Sequence, residues 1–181
     1  DMVKAFFEDQ PLTAQIEFSD AGETASMLQR IHAAKELFED RVVVTYGDTL
    51  IDLNLDDLLA THESSGAKAT ITTADVRSPF GLVVCDKDGW AHSFEEKPLQ
   101  SYYIGHMVLE REVLEELDQE LLALPDGEGL VRLFDKLIQQ KCLRTHSYDG
   151  PQITFNTQQE LKQAEDDFVA FFTHQEEKFC P

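Results

Sequence analysis

Apolar and polar positions change period several times along this chain, and each change marks an element. Residues 14–18 (Ala14, Gln15, Ile16, Glu17, Phe18) alternate, as a half-exposed strand does. A loop at 19–24 precedes residues 25–38, where Met27, Leu28, Ile31, Ala34, Leu37 and Phe38 fall on one helical stripe. Val42, Val43, Val44 and Thr45 form a short apolar, β-branched run, the signature of a buried strand. A helix is predicted over 55–64, with Asn54 as its N-cap and Gly66 at its end. Strands are predicted at 69–73, 81–86, 91–96, 102–109 and 144–149. The second and third of these form a hairpin, because Asp88-Gly89 supplies the positive φ of a tight turn. Helices are predicted around 111–124 and 130–141. A final one at 159–174 has Leu161, Ala164, Phe168, Phe171 and Phe172 on its inner side. Alternation of strands and helices through the first half gives an α/β fold: a mostly parallel open sheet flanked by helices, with one small antiparallel hairpin.

Composition narrows the partners. The chain has 181 residues, 42% hydrophobic, enough for one domain with a sizeable core. A net charge of −20, from 15 basic and 35 acidic side chains, argues against nucleic acid or an anionic membrane as partner. No apolar run is long enough to span a bilayer, and no signal peptide is visible. Cys85, Cys142 and Cys180 are odd in number and widely spaced, which suits reduced thiols in a cytoplasmic protein. None of the six histidines has metal-ligand spacing, and His62 reads as a packing or capping residue of its helix.

The chemistry-bearing segment is Tyr46-Gly47-Asp48, which ends the valine strand with a carboxylate. Ligands of open α/β sheets collect at the carboxyl ends of strands, so Asp48 is sited to hold a hard cation such as Mg²⁺ against phosphate oxygens. The plain alternative is that it caps a turn. From the residues alone, Gly22 and Gly81 are turn glycines, and Glu96 and Lys97 a solvated charge pair.

Several segments nevertheless fall in one order: Asp20-Ala21-Gly22; Tyr46-Gly47-Asp48; His62 followed by Gly66-Ala67-Lys68-Ala69-Thr70; Pro79-Phe80-Gly81; and Phe94-Glu95-Glu96-Lys97-Pro98. This set resembles the sugar-1-phosphate nucleotidylyltransferases, and most resembles their glucose-1-phosphate cytidylyltransferase and mannose-1-phosphate guanylyltransferase types. The likeness covers roughly residues 1–170 and is loose after Leu109.

The resemblance implies a Rossmann-like nucleotidyltransferase fold and an Mg²⁺-dependent reaction. A nucleoside triphosphate and a sugar 1-phosphate would give a nucleotide-sugar and pyrophosphate. It implies Asp48 as the catalytic metal ligand and Gly22 as the glycine lying against the base. Gly81 would let the sugar approach closely. Glu96 would accept from sugar hydroxyls, and Lys97 would reach the phosphate as a substrate-binding and catalytic cation. Thr24 and Arg30 are weaker candidates for nucleotide contact. Asn156 stands where the family carries a second metal-binding aspartate, with Asp149 as a nearby substitute.

The Gly-rich phosphate loop of the family, of the form Leu-Ala-Gly-Gly-x-Gly-Thr-Arg-Leu, is not among these residues. The chain therefore reads as a single nucleotidyltransferase-like domain over 1–181, without the first strand and that loop. Two functions stay open: the enzyme itself, and a non-catalytic sugar- or nucleotide-binding regulatory or assembly subunit. Homo-oligomerisation stays open as well.

Overall fold

In a computed structural model, which describes residues 2–8 and 14–176, the elements run in this order. Helix α1 (Met2–Glu8) is followed by α2 (Met27–Ala33), which tightens into a 3-10 turn at Ala34–Leu37. Then come β1 (Arg41–Thr45), β2 (Thr49–Ile51), α3 (Leu55–Ser65), β3 (Ala69–Arg77), β4 (Leu82–Cys85) and β5 (Ala91–Glu95). The remainder is β6 (Leu99–Glu110), α4 (Arg111–Glu115), α5 (Gln119–Leu122), α6 (Glu128–Gln139), β7 (Leu143–Tyr148), β8 (Gln152–Thr154) and α7 (Gln158–Glu176). The main sheet has the order β1-β6-β3-β7 and is mixed with a mostly parallel core, as the strand–helix alternation predicts. β4 and β5 form the expected antiparallel hairpin, with Gly89 at φ +89° in its turn.

The chain divides into two compact units, residues 1–42 with 109–142 and residues 43–108 with 143–181. In the first, α6 turns Leu130, Leu133 and Leu137 inward at helical spacing, and all three are buried. Gly129 lets Leu28 of α2 sit close: a Cβ at that glycine would come within 3.2 Å of the Leu28 side chain and of the Leu121 carbonyl. Ser26 and Gln29 form a capping box at the start of α2, and Gln29 also donates to the Leu122 carbonyl.

In the second unit burial follows sheet position. The inner strands carry the core: Ala69, Thr70, Thr72 and Thr73 of β3, and Ile104, Met107 and Val108 of β6. Edge strand β1 is only half-buried. Helix α3 packs on β3 and β7. Both of its ends are as predicted, Asn54 accepting from the Asp56 and Asp57 N–H groups and Gly66 adopting a left-handed conformation. His62 of α3 is buried and hydrogen-bonds Thr70 Oγ1 through Nδ1 at 2.7 Å, a packing role.

Four expectations need correction. Residues 14–18 alternate but form no strand; alternation becomes a strand only beside a partner ladder, and no described residue supplies one. The stripe over 25–38 is α-helical only from Met27 to Ala33. The helix predicted over 111–124 is two short ones, because the Asp118 carboxylate accepts from Leu121 N–H and starts a new helix there. On α7 Ala164 is buried, but Leu161 and Phe168 are exposed; Phe171 and Phe172 lie outside the described side chains, as Cys180 lies outside the described residues. Cys85 and Cys142 are free thiols, and among the described residues no helix is long and apolar enough to cross a membrane.

Candidate active site

Asp48 is the last of three residues, Tyr46-Gly47-Asp48, that turn the chain between β1 and β2, and it is half-buried. The turn is held from both sides. Tyr46 N–H donates to the Gly105 carbonyl of β6 at 3.0 Å, and Phe155 N–H donates to the Asp48 carbonyl at 3.0 Å. The second bond extends the antiparallel ladder of β2 and β8, in which Thr49 faces Thr154. Thr49 Oγ1 lies 3.4 Å from Asp48 Oδ1. Asp48 and Asn156, far apart in sequence, are thus brought onto neighbouring strand ends.

Gly105 explains how Tyr46 is seated. It has φ +79°, and a Cβ there would lie 2.8 Å from Tyr46 Cδ2 and 3.1 Å from its Cβ. The Tyr46 ring meets Tyr103 edge-on at 5.8 Å. Burial, then the neighbouring Tyr46, pushes the Tyr103 phenol well above the ordinary tyrosine range, so it stays neutral.

On the other side of the β8 end, Glu160 of α7 accepts from Asn156 N–H at 2.7 Å and Thr157 N–H at 3.0 Å, while Glu160 N–H donates to Thr157 Oγ1. This capping box fixes the backbone of Asn156. The same N–H groups hold the Glu160 carboxyl below the usual glutamate range, Asn156 contributing most. Asp149 follows directly on β7, whose last residue Tyr148 accepts from Asp52 N–H and donates to the Pro151 carbonyl through its phenol.

Gly81, Glu96 and Lys97 form a second group in the same unit. A Cβ at Gly81 would lie 2.6 Å from the tip of the Phe94 ring and 3.4 Å from Glu96 Oε2, so the glycine leaves the space beside that carboxylate open. Lys97 has φ +47°, rare for a residue with a side chain, and Pro98 after it is buried.

Gly22 lies in the first unit. Its N–H donates to Asp20 Oδ1, closing an Asx turn, and its φ is +89°. Nothing lies within 4 Å of where its Cβ would be, so backbone conformation selects glycine there. Arg30 folds back onto this loop and donates to the carbonyls of Glu23 and Ala25, an anchoring role. A surface recess beside it is lined by Lys4, Phe18, Asp20, Gly22, Glu23 and Arg30.

Three contributors were not visible from local pattern: Gly105, Glu160 and the β2–β8 pairing. A glycine inside the run Tyr103-Ile104-Gly105-His106-Met107 is a signal of close backbone approach, and Thr157-x-x-Glu160 is a capping-box pattern. The three-residue strands carry no such signal.

Among the described residues no three His, Cys, Asp or Glu side chains cluster as a metal cage. One half-buried carboxylate at a strand end still fits Mg²⁺, which is commonly held by one or two carboxylates while substrate phosphates and waters complete the octahedron.

The description "Nucleotidyl transferase" belongs to the family whose profile matches residues 2–142. The chain is 35% identical over 127 residues to a Bacillus subtilis protein named "Probable glucose-1-phosphate cytidylyltransferase", covering 68% of this chain and 50% of that one. It is 34% identical over 113 residues to the UTP–glucose-1-phosphate uridylyltransferase of a Synechocystis species, covering 53% of this chain and 29% of that one. The chain thus spans half or less of these relatives' length. The crystal structure of HddC from Yersinia pseudotuberculosis shares the fold at 17% identity, with a TM-score of 0.64 over 92% of this chain and 73% of that one. By that profile match and those relatives, this chain belongs to the nucleotidyl transferase family, among the sugar-1-phosphate nucleotidylyltransferases.

Proposed function

We propose that the full-length protein transfers a nucleotidyl group from a nucleoside triphosphate to a sugar 1-phosphate and releases pyrophosphate. The observation that carries this reading is the Asp48 turn, pinned through its backbone so that the carboxylate is left to a ligand. Asp48, with Asn156 after β8 as the second candidate ligand, would hold Mg²⁺, which when bound neutralises phosphate charge and keeps the two substrates in register. Asn156 offers a neutral oxygen, a weaker donor than the aspartate expected there.

A phosphate oxygen of the sugar attacks the α-phosphorus, the bond to the β-phosphate breaks, and pyrophosphate leaves; positioning matters more than covalent catalysis. Glu96 accepts from sugar hydroxyls in the space left by Gly81, and Lys97 neutralises the sugar phosphate. The net charge of −20 makes nucleic acid an unsuitable partner, and the free thiols agree with a cytoplasmic setting.

A non-catalytic subunit of the same fold is the second reading, favoured by the amide at Asn156. The test is Asp48→Asn in the full-length protein. Among the described residues the Asp48 side chain hydrogen-bonds only Thr49, at 3.4 Å, so the variant should melt with the parent. Pyrophosphate release should fall more than a hundredfold, about 3 kcal/mol of transition-state stabilisation. Near-parental turnover overturns the assignment; a parent inactive across the common triphosphates and hexose 1-phosphates supports the subunit.

A further inference from the structure

We propose that Arg77 is a positioning residue for Lys97, an inference that rests on the reading of that lysine as a sugar-phosphate ligand. The peptide after Glu96 is turned the costly way, with Lys97 at φ +47°. The proline that follows adds to the cost, because the residue before a proline is pushed toward extended conformations. A turn of this kind persists only where its surroundings over-determine it.

The tail of β3 supplies the surroundings. Arg77 Nη1 donates to the Lys97 carbonyl at 3.1 Å. Ser78 N–H donates to the Pro98 carbonyl at 2.9 Å, and Ser101 Oγ donates to Asp75 Oδ1 at 2.5 Å. Of these three bonds, the arginine's is the one that engages the left-handed residue itself. Arg77 is exposed, so the core does not depend on it. Its charge-assisted bond holds the carbonyl that must rotate if Lys97 is to relax to an ordinary φ. Relaxation would swing the Lys97 side chain away from the direction this turn gives it. The expected signature is a loss of sugar-phosphate affinity without a loss of fold.

The experiment is a double-mutant cycle in the full-length protein, with pyrophosphate release measured over a panel of hexose 1-phosphates, and a crystal structure of the Arg77→Ala variant. Arg77→Ala should raise KM for the sugar phosphate about tenfold, leave kcat within about twofold and leave the melting temperature unchanged. Arg77→Lys, which keeps one donor, should recover part of the loss. In a Lys97→Ala background, Arg77→Ala should add less than about twofold, since the group it aims is gone. In the crystal structure of Arg77→Ala, Lys97 should leave the positive-φ region. An undiminished effect in the Lys97→Ala background, or a Lys97 that keeps its positive φ without Arg77, overturns the inference while the functional reading stands. A parent without turnover on any of the sugar phosphates overturns the functional reading, and this inference with it.

Discussion

Gly105→Ala isolates how the turn bearing Asp48 is held. Two penalties apply at this position. The backbone is at φ +79°, where a side chain costs about 1–2 kcal/mol. The new methyl would also lie 2.8, 2.9 and 3.1 Å from Tyr46 Cδ2, Cγ and Cβ. These atoms sit at the root of the ring, not at a tip that could swing away, and the ring is backed edge-on by Tyr103. Overpacking of this kind costs about 1–3 kcal/mol. The sum, about 3 kcal/mol, corresponds to a fall of roughly 6–12 °C in Tm for a chain of this size. Differential scanning calorimetry of the parent and variant measures it. Most of the steric part should go in a Tyr46→Ala background, which keeps only the Cβ contact at 3.1 Å, leaving chiefly the φ cost of about 1–2 kcal/mol. Gly22→Ala serves as the control, with φ +89° and nothing within 4 Å, and should show that smaller loss directly. A Gly105→Ala variant melting within about 2 °C of the parent refutes the reasoning, as does a loss unchanged by Tyr46→Ala.

Gly81→Ala should behave in the opposite way. The obstructing atoms are the tip of the Phe94 ring, which is 66% exposed and free to turn, so stability should stay within about 1 kcal/mol by thermal melting. Under the proposed function the same methyl fills the space beside Glu96 and should raise KM for the sugar phosphate at least about tenfold; an unchanged KM removes Gly81 from the substrate site. Glu160 gives a pH prediction. Its folded pKa lies below the ordinary 4.5, so its stabilisation is present above 4.5 and is lost as pH falls through the lower folded value. Helical circular dichroism of the parent should decline over that acid range, and Glu160→Ala should abolish this component; an identical acid profile in the variant would show that the carboxylate is not the capping group.

Much of the scaffold was legible where the determinants are local. Asn54 and Gly66 bracket α3 because a cap acts within one turn of its own position. Asp88-Gly89 sets the hairpin for the same reason. Residues 14–18 show the opposite case, since a strand is made by its neighbour as much as by its own pattern. The site was legible only as an ordered set of short motifs. Asp48, Gly81 and Glu96 were legible as candidates, but what positions them was not. Gly105 acts on Tyr46, and Arg77 on Lys97, through contacts between distant segments, which no periodicity encodes. β2 and β8 are three residues each, too short for any period to register.

The β2–β8 ladder also bears on the order in which the molecule becomes competent. Asp48 leaves the ribosome about a hundred residues before Phe155, whose N–H holds the aspartate's carbonyl. The main sheet strands β1, β3 and β6 are complete earlier, and the match to the family stops at residue 142. Closing so long a loop comes late, because its entropy must be spent before two short strands repay it. A polypeptide halted after β7 would therefore hold Asp48 in a turn braced only on its β6 side. Under the proposed function, cation affinity followed during synthesis or refolding would report the arrival of the tail and not the formation of the sheet.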